Sequence, residues 1–533
     1  MIHFEWKSVY LQVQQQIRLH IPKKPFSNFD KNIFLINLEN QLDRGALLSR
    51  YSRTASLDIR DLYSKEFENN ESRGRDFYRR VFLEYGDESV AELVNIQLSI
   101  QNVSNITAKL IEESRIGLSY LEKSSRYVRY DKKYKDNFLY ISSESLGMKG
   151  KFASDYDDYC NRLFLFYEQN YDHMVRLLRE KYPEESYSST NSDKEISRKS
   201  YDSAIRARAL DDLRFVLPAS TLTNMGISGN ARAFINLIQK MNASGNEEAK
   251  KIAKALYEEL EPEYGEIIKS AISKHGTDQT NYRISISEIS NLQAMLPSGQ
   301  AGSSLIPDLN EEQAINLLLT NFFYSNDSSY AEIEKYVKTL DSNEKAKVIQ
   351  KIMNARKNRR DKLPRAFESI RYTVEANLNF GAFRDLQRHR MFTILRKHLT
   401  PDFGYDIPSV ISSDDAKKRE FVSLMEEAKL LFKNITLSND KIMAQYAIPF
   451  AYRHPVLIQG NFREFAYFIE LRSTPQAHYD LRNFSIQLYN EIVKVHPGLS
   501  QLIKFCETGD YPLGRYSQEY RKQEKIRNLG FDS

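Results

Sequence analysis

The stretch FRDLQRHRMFT, residues 383–393, determines how the rest of the chain is interpreted. It sets three arginines and one histidine close together between apolar residues. Guanidinium groups stay charged at any working pH, so such a cluster needs facing carboxylates or a bound anion to offset its repulsion. On a helix, Arg384 would share a face with Arg388, and Asp385 with His389. The stretch therefore predicts an anion-binding helix, and the alternative is a solvated basic helix end.

Composition limits the class of protein. The 533 residues are too many for one core, so two or three domains are expected. Lysine plus arginine number 76 against 71 acidic residues, and this slight excess does not predict a nucleic-acid partner. The only two cysteines, Cys160 and Cys506, have no metal-ligand spacing and indicate a reducing compartment. With no signal pattern and no long apolar run, we expect a cytoplasmic protein without a membrane partner and without a metal.

Two segments alternate apolar and polar residues as half-buried strands do. The first begins at Val94 and continues to Gln101, and the charged helical pattern TAKLIEESR follows it. The second is ESIRYTVEA, residues 368–376, and the stretch with the three arginines follows it. Upstream of the first strand, the apolar spacing predicts a helix that ends at Gly86.

The chain repeats itself further on. Pro218 to Asn230 has the same length as Pro449 to Asn461, and within that frame GNARAFINLI matches GNFREFAYFI. Apolar residues alone would match between any two amphipathic helices, but Pro, Gly, Asn and Arg at fixed offsets indicate duplicated domains. Each asparagine stands where a helix N-cap is expected.

Three regions follow from these patterns. Residues 1–275 form the first predicted domain, which carries a polar insertion with a mobile loop at about 135–205. Residues 276–312 are rich in Gly, Ser and Pro and are the predicted linker. Residues 313–533 form the second predicted domain.

These motifs resemble the flavin-dependent thymidylate synthases, whose signature is RHR followed by a spaced Ser, Asn, Ser and Arg-Tyr. The second half carries RHR at Arg388, His389 and Arg390 and then departs from the signature. The first half has lost RHR but retains the tail of the signature, at Ser119, Glu122, Ser124, Arg126 and Tyr127. The resemblance implies an α+β fold of two tandem helix-rich domains of the thymidylate-synthase-complementing type, each with a small sheet and long helices.

The downstream motifs divide between the halves in the same way. The family's arginine before Leu-Pro corresponds to Arg214 in the first half and Gln445 in the second. Its pyrimidine-facing arginine corresponds to Met241 in the first half and Arg472 in the second. Neither half alone therefore has a full set of site residues.

The resemblance also assigns residues to roles. It implies that Arg472 is catalytic, and the implied nucleotide contacts are Glu122, Ser124, Arg126 and Arg214. The implied flavin contacts are Arg388, His389, Arg390, Ser89, Glu92, Asn230, Asn236 and Asn461. The fixed cations next to His389, and His389 itself, are expected to stabilise negative charge on a reduced flavin.

The implied reaction is the conversion of dUMP to dTMP with FAD as cofactor and with NADPH and methylenetetrahydrofolate as co-substrates. Members of the family are homotetramers with sites at subunit interfaces, so the resemblance implies a homodimer that imitates a tetramer. Two alternatives stay open: a divergent flavoprotein acting on another pyrimidine nucleotide, and a non-catalytic duplicate that binds nucleotide or serves as a scaffold.

Overall fold

The structure is a computed structural model that describes residues 24–55, 58–70, 72–82, 88–187, 193–291, 302–437 and 440–529. Its α-helices are α1 Gln41–Tyr51, α2 Ile59–Glu66, α3 Arg73–Arg80, α4 Asn105–Glu112, α5 Ser143–Leu146, α6 Lys151–Lys181, α7 Lys194–Leu213, α8 Ala231–Asn242, α9 Glu247–Ile268, α10 Lys274–Asn291, α11 Glu311–Phe323, α12 Tyr330–Thr339, α13 Ser342–Ala355, α14 Phe380–Leu386, α15 Ser409–Ser412, α16 Asp415–Thr436, α17 Lys441–Ala444, α18 Phe462–Arg472, α19 Tyr479–Val495, α20 Pro497–Ser500 and α21 Tyr516–Asn528. Its strands are β1 Asn95–Ser104, β2 Leu118–Glu122, β3 Leu222–Asn230, β4 Ser304–Pro307, β5 Arg371–Asn379, β6 Thr393–Arg396 and β7 Arg453–Asn461.

The chain divides into two compact units, and both are discontinuous. The first comprises Met1–Ser99, Ser114–Leu121 and Gly226–Leu292; the second comprises Ile100–Glu113, Glu122–Met225 and Gln293–Ser533. Strands β1, β3 and β2, which pair in that order, each continue from one unit into the other along the chain. Much of the predicted first domain therefore belongs to the second unit.

The second unit contains a four-stranded antiparallel sheet in the order β4-β5-β7-β6. Along β5, buried and partly exposed residues alternate, so Tyr372 and Val374 face the core, and Val374 pairs with Ile458 of β7. Helix α6 buries a face of tyrosine and phenylalanine side chains in the same core. The region predicted as a polar insertion is thus partly core, because aromatic residues recur at helical spacing along α6.

Several sequence predictions are tested by these elements. Strand β1 confirms the first alternating segment and extends it to Ser104, and β5 confirms the second. The predicted linker begins within helix α10, and residues 292–301 of it lie outside the described residues. The predicted helix end at Gly86 and the central part of the predicted mobile loop, residues 188–192, also lie outside them.

The duplication appears directly in the hydrogen bonds of the second unit. Pro218 and Pro449, which are equivalent in the two repeats, pair with each other as an antiparallel bridge. On either side, the backbone N–H of Ala219 donates to Ile448 O at 2.8 Å, and that of Phe450 donates to Leu217 O at 2.9 Å. These two bonds exchange under the repeat equivalence, which is the signature of a two-fold, self-complementary contact. The two copies therefore meet inside one chain as two subunits would.

Both repeats also use the same turn from strand to helix. Asn230 caps α8 by accepting from Ala233 N at 2.9 Å, and Asn461 caps α18 by accepting from Glu464 N at 2.9 Å. The two predicted N-caps are confirmed. Each cap fixes where its helix begins, and therefore where the residue at the far end of the helix comes to lie.

The prediction that the RHR triplet lies on a helix is wrong. Helix α14 starts at the N-cap Asn379 and ends at Leu386, and the triplet occupies the turn between α14 and β6. The ring of His389 is buried edge-on against Phe468, with centroids 4.7 Å apart, and Phe392 is buried beside it. Burying these two rings requires the chain to leave the helix, so the predicted pairing of side chains along a helix face does not occur.

Candidate functional site

Five arginines from distant parts of the second unit surround two buried aspartates, and we call this group the arginine cluster. The arginines are Arg126, Arg214, Arg388, Arg472 and Arg515, and the aspartates are Asp211 and Asp385. The first repeat supplies the turn after β2 and the end of α7. The second repeat supplies α14, the turn after it and the end of α18. The C-terminal segment supplies Arg515.

Asp385 is the centre of one side of the cluster. Its Oδ2 lies 3.8 Å from Arg214 Nη2, and its Oδ1 lies 3.8 Å from Arg388 Nε. Its backbone carbonyl accepts from Arg472 Nη2 at 2.9 Å. Burial raises the pKa of this carboxyl, but the charges of the nearby arginines, Arg126 first among them, outweigh burial and hold the pKa well below its ordinary value. Asp385 is therefore ionised at any pH at which the protein works.

Asp211 joins two further arginines on the other side. It accepts from Arg126 Nε at 2.8 Å and Nη2 at 3.0 Å, a two-point fork, and its Oδ2 lies 3.5 Å from Arg515 Nη2. Burial raises its pKa, whereas Arg126 and Arg515 together pull it far below the usual range. Fixing Arg126 from one edge leaves its Nη1 without a hydrogen bond to any described residue.

Arg472, the last residue of α18, is held by the RHR turn. Its Nε donates to His389 Nε2 at 2.9 Å, so that nitrogen carries no proton and the proton of the ring is on Nδ1, 3.5 Å from Glu464 Oε1. Burial lowers the pKa of His389, and the contact with Glu464 only partly opposes this. His389 thus accepts from Arg472 through its Nε2 and orients that guanidinium, and its expected contact with the flavin stays a prediction.

Glu122 was predicted to contact the nucleotide, but its carboxylate is paired with two buried cations. Its two oxygens accept from Lys109 Nζ at 2.8 Å and from Arg384 Nη2 at 2.9 Å, and all three side chains are buried. Burial raises the pKa of Glu122, but Arg384 and Lys109 outweigh it and lower the pKa to about 2. Glu122 is therefore the counter-ion of two buried cations, and Arg384 in turn is held by Ser125 at 2.9 Å.

Positive charge exceeds negative charge in the arginine cluster. Five guanidiniums face two carboxylates, and the Nε atoms of Arg214 and Arg515 are buried without a hydrogen-bond acceptor among the described residues. A buried N–H without an acceptor costs about 1–3 kcal/mol, and uncompensated like charges repel as well. Both costs are removed if an anion enters. This excess of positive charge would favour a bound anion.

The structure brings together the predicted residues Arg126, Arg214, Arg388 and Arg472, with Ser124 two residues before Arg126 and accepting from its backbone N–H at 3.3 Å. Arg390 lies exposed in the turn two residues after Arg388. Asn461 uses its side-chain oxygen as the cap of α18. These residues all belong to the second unit.

The other predicted flavin contacts belong to the first unit: Ser89, Glu92, Asn230 and Asn236. Within that unit, Glu92 forms an exposed ion pair with Arg232 at 2.8 Å. Asn236 Nδ2 donates to the carbonyl of Arg232 at 3.1 Å, and Asn230 caps the same helix. Glu92, Asn230 and Asn236 thus lie together around the start of α8.

In the second repeat, the positions equivalent to Arg214 and Arg126 carry no guanidinium. Gln445, the counterpart of Arg214, lies with its Nε2 3.0 Å from His398 Nδ1 and accepts from the backbone N–H of Leu399 at 3.0 Å. Thr400 stands in the second repeat at the signature position that Arg126 occupies in the first, and it accepts from Asp402 N at 3.4 Å at the start of a short turn. Neutral hydrogen bonds replace the guanidiniums there, so the two copies have diverged in opposite directions.

Sequence analysis missed Asp211 and Arg515 as members of the site. Asp211 had only a weak signal: with Asp212 it stands between apolar residues, Leu210 and Leu213, and a buried carboxylate needs cations. Arg515 had no local signal, because its partner lies 304 residues away in the chain.

A family model described as thymidylate synthase complementing protein matches residues 40–264 and 305–498. A UPF0159 protein of Thermoplasma acidophilum is 46% identical over 504 residues, covering 92% of this chain and 100% of that protein. A UPF0159 protein of Chlamydia muridarum is 32% identical over 525 residues, covering 93% of this chain and 96% of that protein.

Among solved structures, a UMP/dUMP methylase PolB from Streptomyces cacaoi, bound with 5-Br dUMP, matches with a TM-score of 0.30 and 12% identity. The match covers 39% of this chain and 99% of that chain. No helix among the described residues is both long enough and apolar enough to span a bilayer.

Proposed function

The chain belongs to the thymidylate synthase complementing protein family, and from this premise we propose that it is an FAD-dependent thymidylate synthase. It converts dUMP to dTMP with methylenetetrahydrofolate and NADPH, at a site pooled from its two repeats. The observation that carries the proposal is the arginine cluster, in which guanidiniums from both repeats surround Asp385 with an excess of buried positive charge. A nucleotide monophosphate supplies the anion that this excess requires.

Arg126 and Arg214 bind the 5′-phosphate in this proposal, with the hydroxyl of Ser124 beside them. Arg126 has Nη1 available, since Asp211 occupies its other edge, and Arg214 has a buried Nε without an acceptor. Charge-assisted hydrogen bonds of this kind are about twice as strong as neutral ones. The two aspartates hold the guanidiniums in place before the ligand arrives, so little ordering cost remains at binding.

Arg472 faces the uracil in this proposal. His389 and the Asp385 carbonyl hold its Nε and Nη2, which leaves Nη1 to approach a ring oxygen. Burial lowers the pKa of Arg472, with Arg388 and Arg126 adding to the effect and Asp385 opposing it, yet a guanidinium stays charged near neutrality. A fixed positive charge at a carbonyl edge stabilises negative charge that develops on the ring during reaction at C5.

The chemistry of the nearby donors fits an anionic flavin. Arg388 and Arg390 are exposed in the turn beside Arg472 and would hold the cofactor's phosphates or its reduced ring. The flavin supplies the electrons and the transfer of the one-carbon unit. The residues of the chain supply binding, orientation and fixed charge. A homodimer of this two-repeat chain would reproduce the four-domain assembly that the resemblance implies.

A flavoprotein that acts on another pyrimidine nucleotide is the second candidate. It is favoured by Asp385, whose carboxylate offsets part of the positive charge of the arginine cluster. A titration of the FAD-loaded protein with UMP, compared with the titration with dUMP described next, separates the two candidates.

The test is a spectral titration of the purified chain with FAD and then dUMP, followed by assay of dTMP formation. Arg126→Ala and Arg472→Ala are each expected to lower turnover by about 100-fold or more, because each removes a fixed charge from the site. The matched control is Thr400→Ala, which truncates the counterpart of Arg126 in the other repeat and should leave turnover unchanged. A chain that does not bind added FAD, or an Arg126→Ala variant with full turnover, would refute the proposal.

A further inference from the structure

The segment after residue 498 lies beyond the part of the chain that the family model matches, and it places an arginine in the cluster. Arg515 precedes helix α21 and is buried, with only 7% of its surface exposed. Its Nη2 lies 3.5 Å from Asp211 Oδ2, and its Nη1 donates to the backbone carbonyl of Arg126 at 3.4 Å. Its guanidinium carbon stacks 4.6 Å above the ring centre of Tyr127. Three separate contacts therefore fix this side chain beside Arg126.

The backbone at Gly514 allows the C-terminal segment to come close enough to place Arg515 beside Arg126. A Cβ on Gly514 would overlap the carbonyl oxygen of Pro475, so only glycine allows the C-terminal segment to approach this closely. The next carbonyl in that loop, that of Gln476, accepts from Arg126 Nη2 at 3.3 Å. The segment and Arg126 thus rest against the same loop, and the position of Arg515 follows from that contact.

The charge of Arg515 is not consumed by these contacts. Asp211 is already engaged by Arg126 in a two-point fork at 2.8 and 3.0 Å, so one carboxylate serves two guanidiniums. The Nε of Arg515 is buried and has no acceptor among the described residues. A structural anchor would be expected to have its donors satisfied, because an unpaired buried N–H destabilises the fold.

Arg515 also lines a cavity of about 420 Å³ together with Arg126 and Asp211. The lining of this cavity continues along Arg208, Arg482 and Tyr479, and it also carries the carboxylates of Asp406, Asp480 and Asp510. Two guanidiniums at one wall, aligned by a common carboxylate, match the oxygens of a single phosphate group.

We propose that Arg515 is a third phosphate-binding arginine of the nucleotide site, acting beside Arg126 and aligned with it by Asp211. The proposal rests on the proposed function for the identity of the nucleotide. It assigns the C-terminal segment a part in binding the substrate, and the ligand class is the phosphate dianion of a nucleoside monophosphate. Each guanidinium adds charge-assisted hydrogen bonds to that group.

The experiment compares wild type, Arg515→Ala and Arg126→Ala as full-length proteins. Calorimetry with dUMP, deoxyuridine and inorganic phosphate separates phosphate contacts from base contacts. Arg515→Ala is expected to weaken dUMP and phosphate by about 10- to 100-fold and to leave deoxyuridine within about twofold. The matched control is Arg521→Ala, which removes an exposed arginine from α21 and should change none of the three affinities.

A second variant guards against a folding defect. Arg515→Lys keeps the charge but loses the planar fork, so it should bind dUMP with an affinity between those of wild type and Arg515→Ala. If Arg126→Ala loses dUMP affinity and both Arg515 variants keep it, Arg515 is only an anchor and the proposal fails while the proposed function stands. If wild type binds phosphate but not dUMP, and Arg515→Ala loses phosphate, the third arginine is supported and the proposed function fails.

Discussion

Asp480 offers a prediction whose size follows from its surroundings. It lies at the start of α19, and its Oδ2 accepts from Asn379 Nδ2 at 2.6 Å, while the same amide also donates to Asp406 at 2.8 Å. Burial raises the pKa of Asp480 from 3.8 to about 7, and Asp406 adds to the rise, whereas Asn379 and Arg214 oppose it. The folded protein therefore holds a proton on Asp480 that the unfolded chain releases near pH 4.

The linkage between proton binding and folding decides whether Asp480 stabilises or destabilises the fold as the pH rises. A carboxyl whose pKa is raised by folding binds its proton more tightly in the folded state, so it lowers stability as pH rises from about 4 to about 7. A shift of this size corresponds to about 4 kcal/mol, all of it lost by about pH 8. Replacing Asp480 with Asn removes the charge but keeps an oxygen for Asn379. The variant should therefore be up to about 4 kcal/mol more stable than wild type near pH 8 and close to it near pH 4.

The assay is equilibrium unfolding in urea, followed by circular dichroism at several pH values between about 4 and 8. The control is Asp158→Asn, which makes the same chemical change at an exposed residue of α6, where the stability difference from wild type should be small. A difference for Asp480→Asn that does not grow with pH would refute the reasoning, because it would mean that the carboxyl is ionised in the fold at no cost.

Two further predictions concern buried ion pairs. Arg356 donates to Glu470 at 2.8 and 2.7 Å inside the core. Arg356→Met should therefore lower the free energy of unfolding by about 3–5 kcal/mol, and adding Glu470→Leu should recover most of this loss. A double variant as unstable as Arg356→Met alone would contradict this prediction. Because folding lowers the pKa of Glu122 to about 2, its stabilisation is present above about pH 4.5 and lost as pH falls through about 2. Glu122→Gln should therefore flatten the acid limb of the stability curve measured by urea unfolding, and an unchanged limb would argue against the buried pairing.

Local patterns were sufficient where the structure depends on neighbours in the sequence. Strands β1 and β5 follow from period-two alternation, and the caps Asn230 and Asn461 follow from a side chain that reaches the third N–H of its own helix. The RHR turn could not be predicted in this way. Its conformation is set by the burial of His389 against Phe468, which lies far along the chain.

The candidate site was only partly predictable for a related reason. The resemblance to the flavin-dependent thymidylate synthases pointed to Arg126, Arg214 and Arg472, because each aligns with a site arginine of that family while its counterpart in the other repeat carries no guanidinium. The protonation of His389 was not visible, because it depends on the hydrogen bond from Arg472 and on burial. The pairing of Glu122 with Lys109 and Arg384 likewise requires the packing of three separate segments.

The sequence by itself determined that this chain contains two diverged copies of one domain and which copy retained which charged residue, because these are properties of residue identity and spacing. Only the tertiary structure decided which charges meet. The energy of an ion pair falls as the distance between the charges grows and rises as the pair is buried. Both the distances and the burial are fixed only when folding encloses Asp385 and Asp211 among arginines from three regions of the chain.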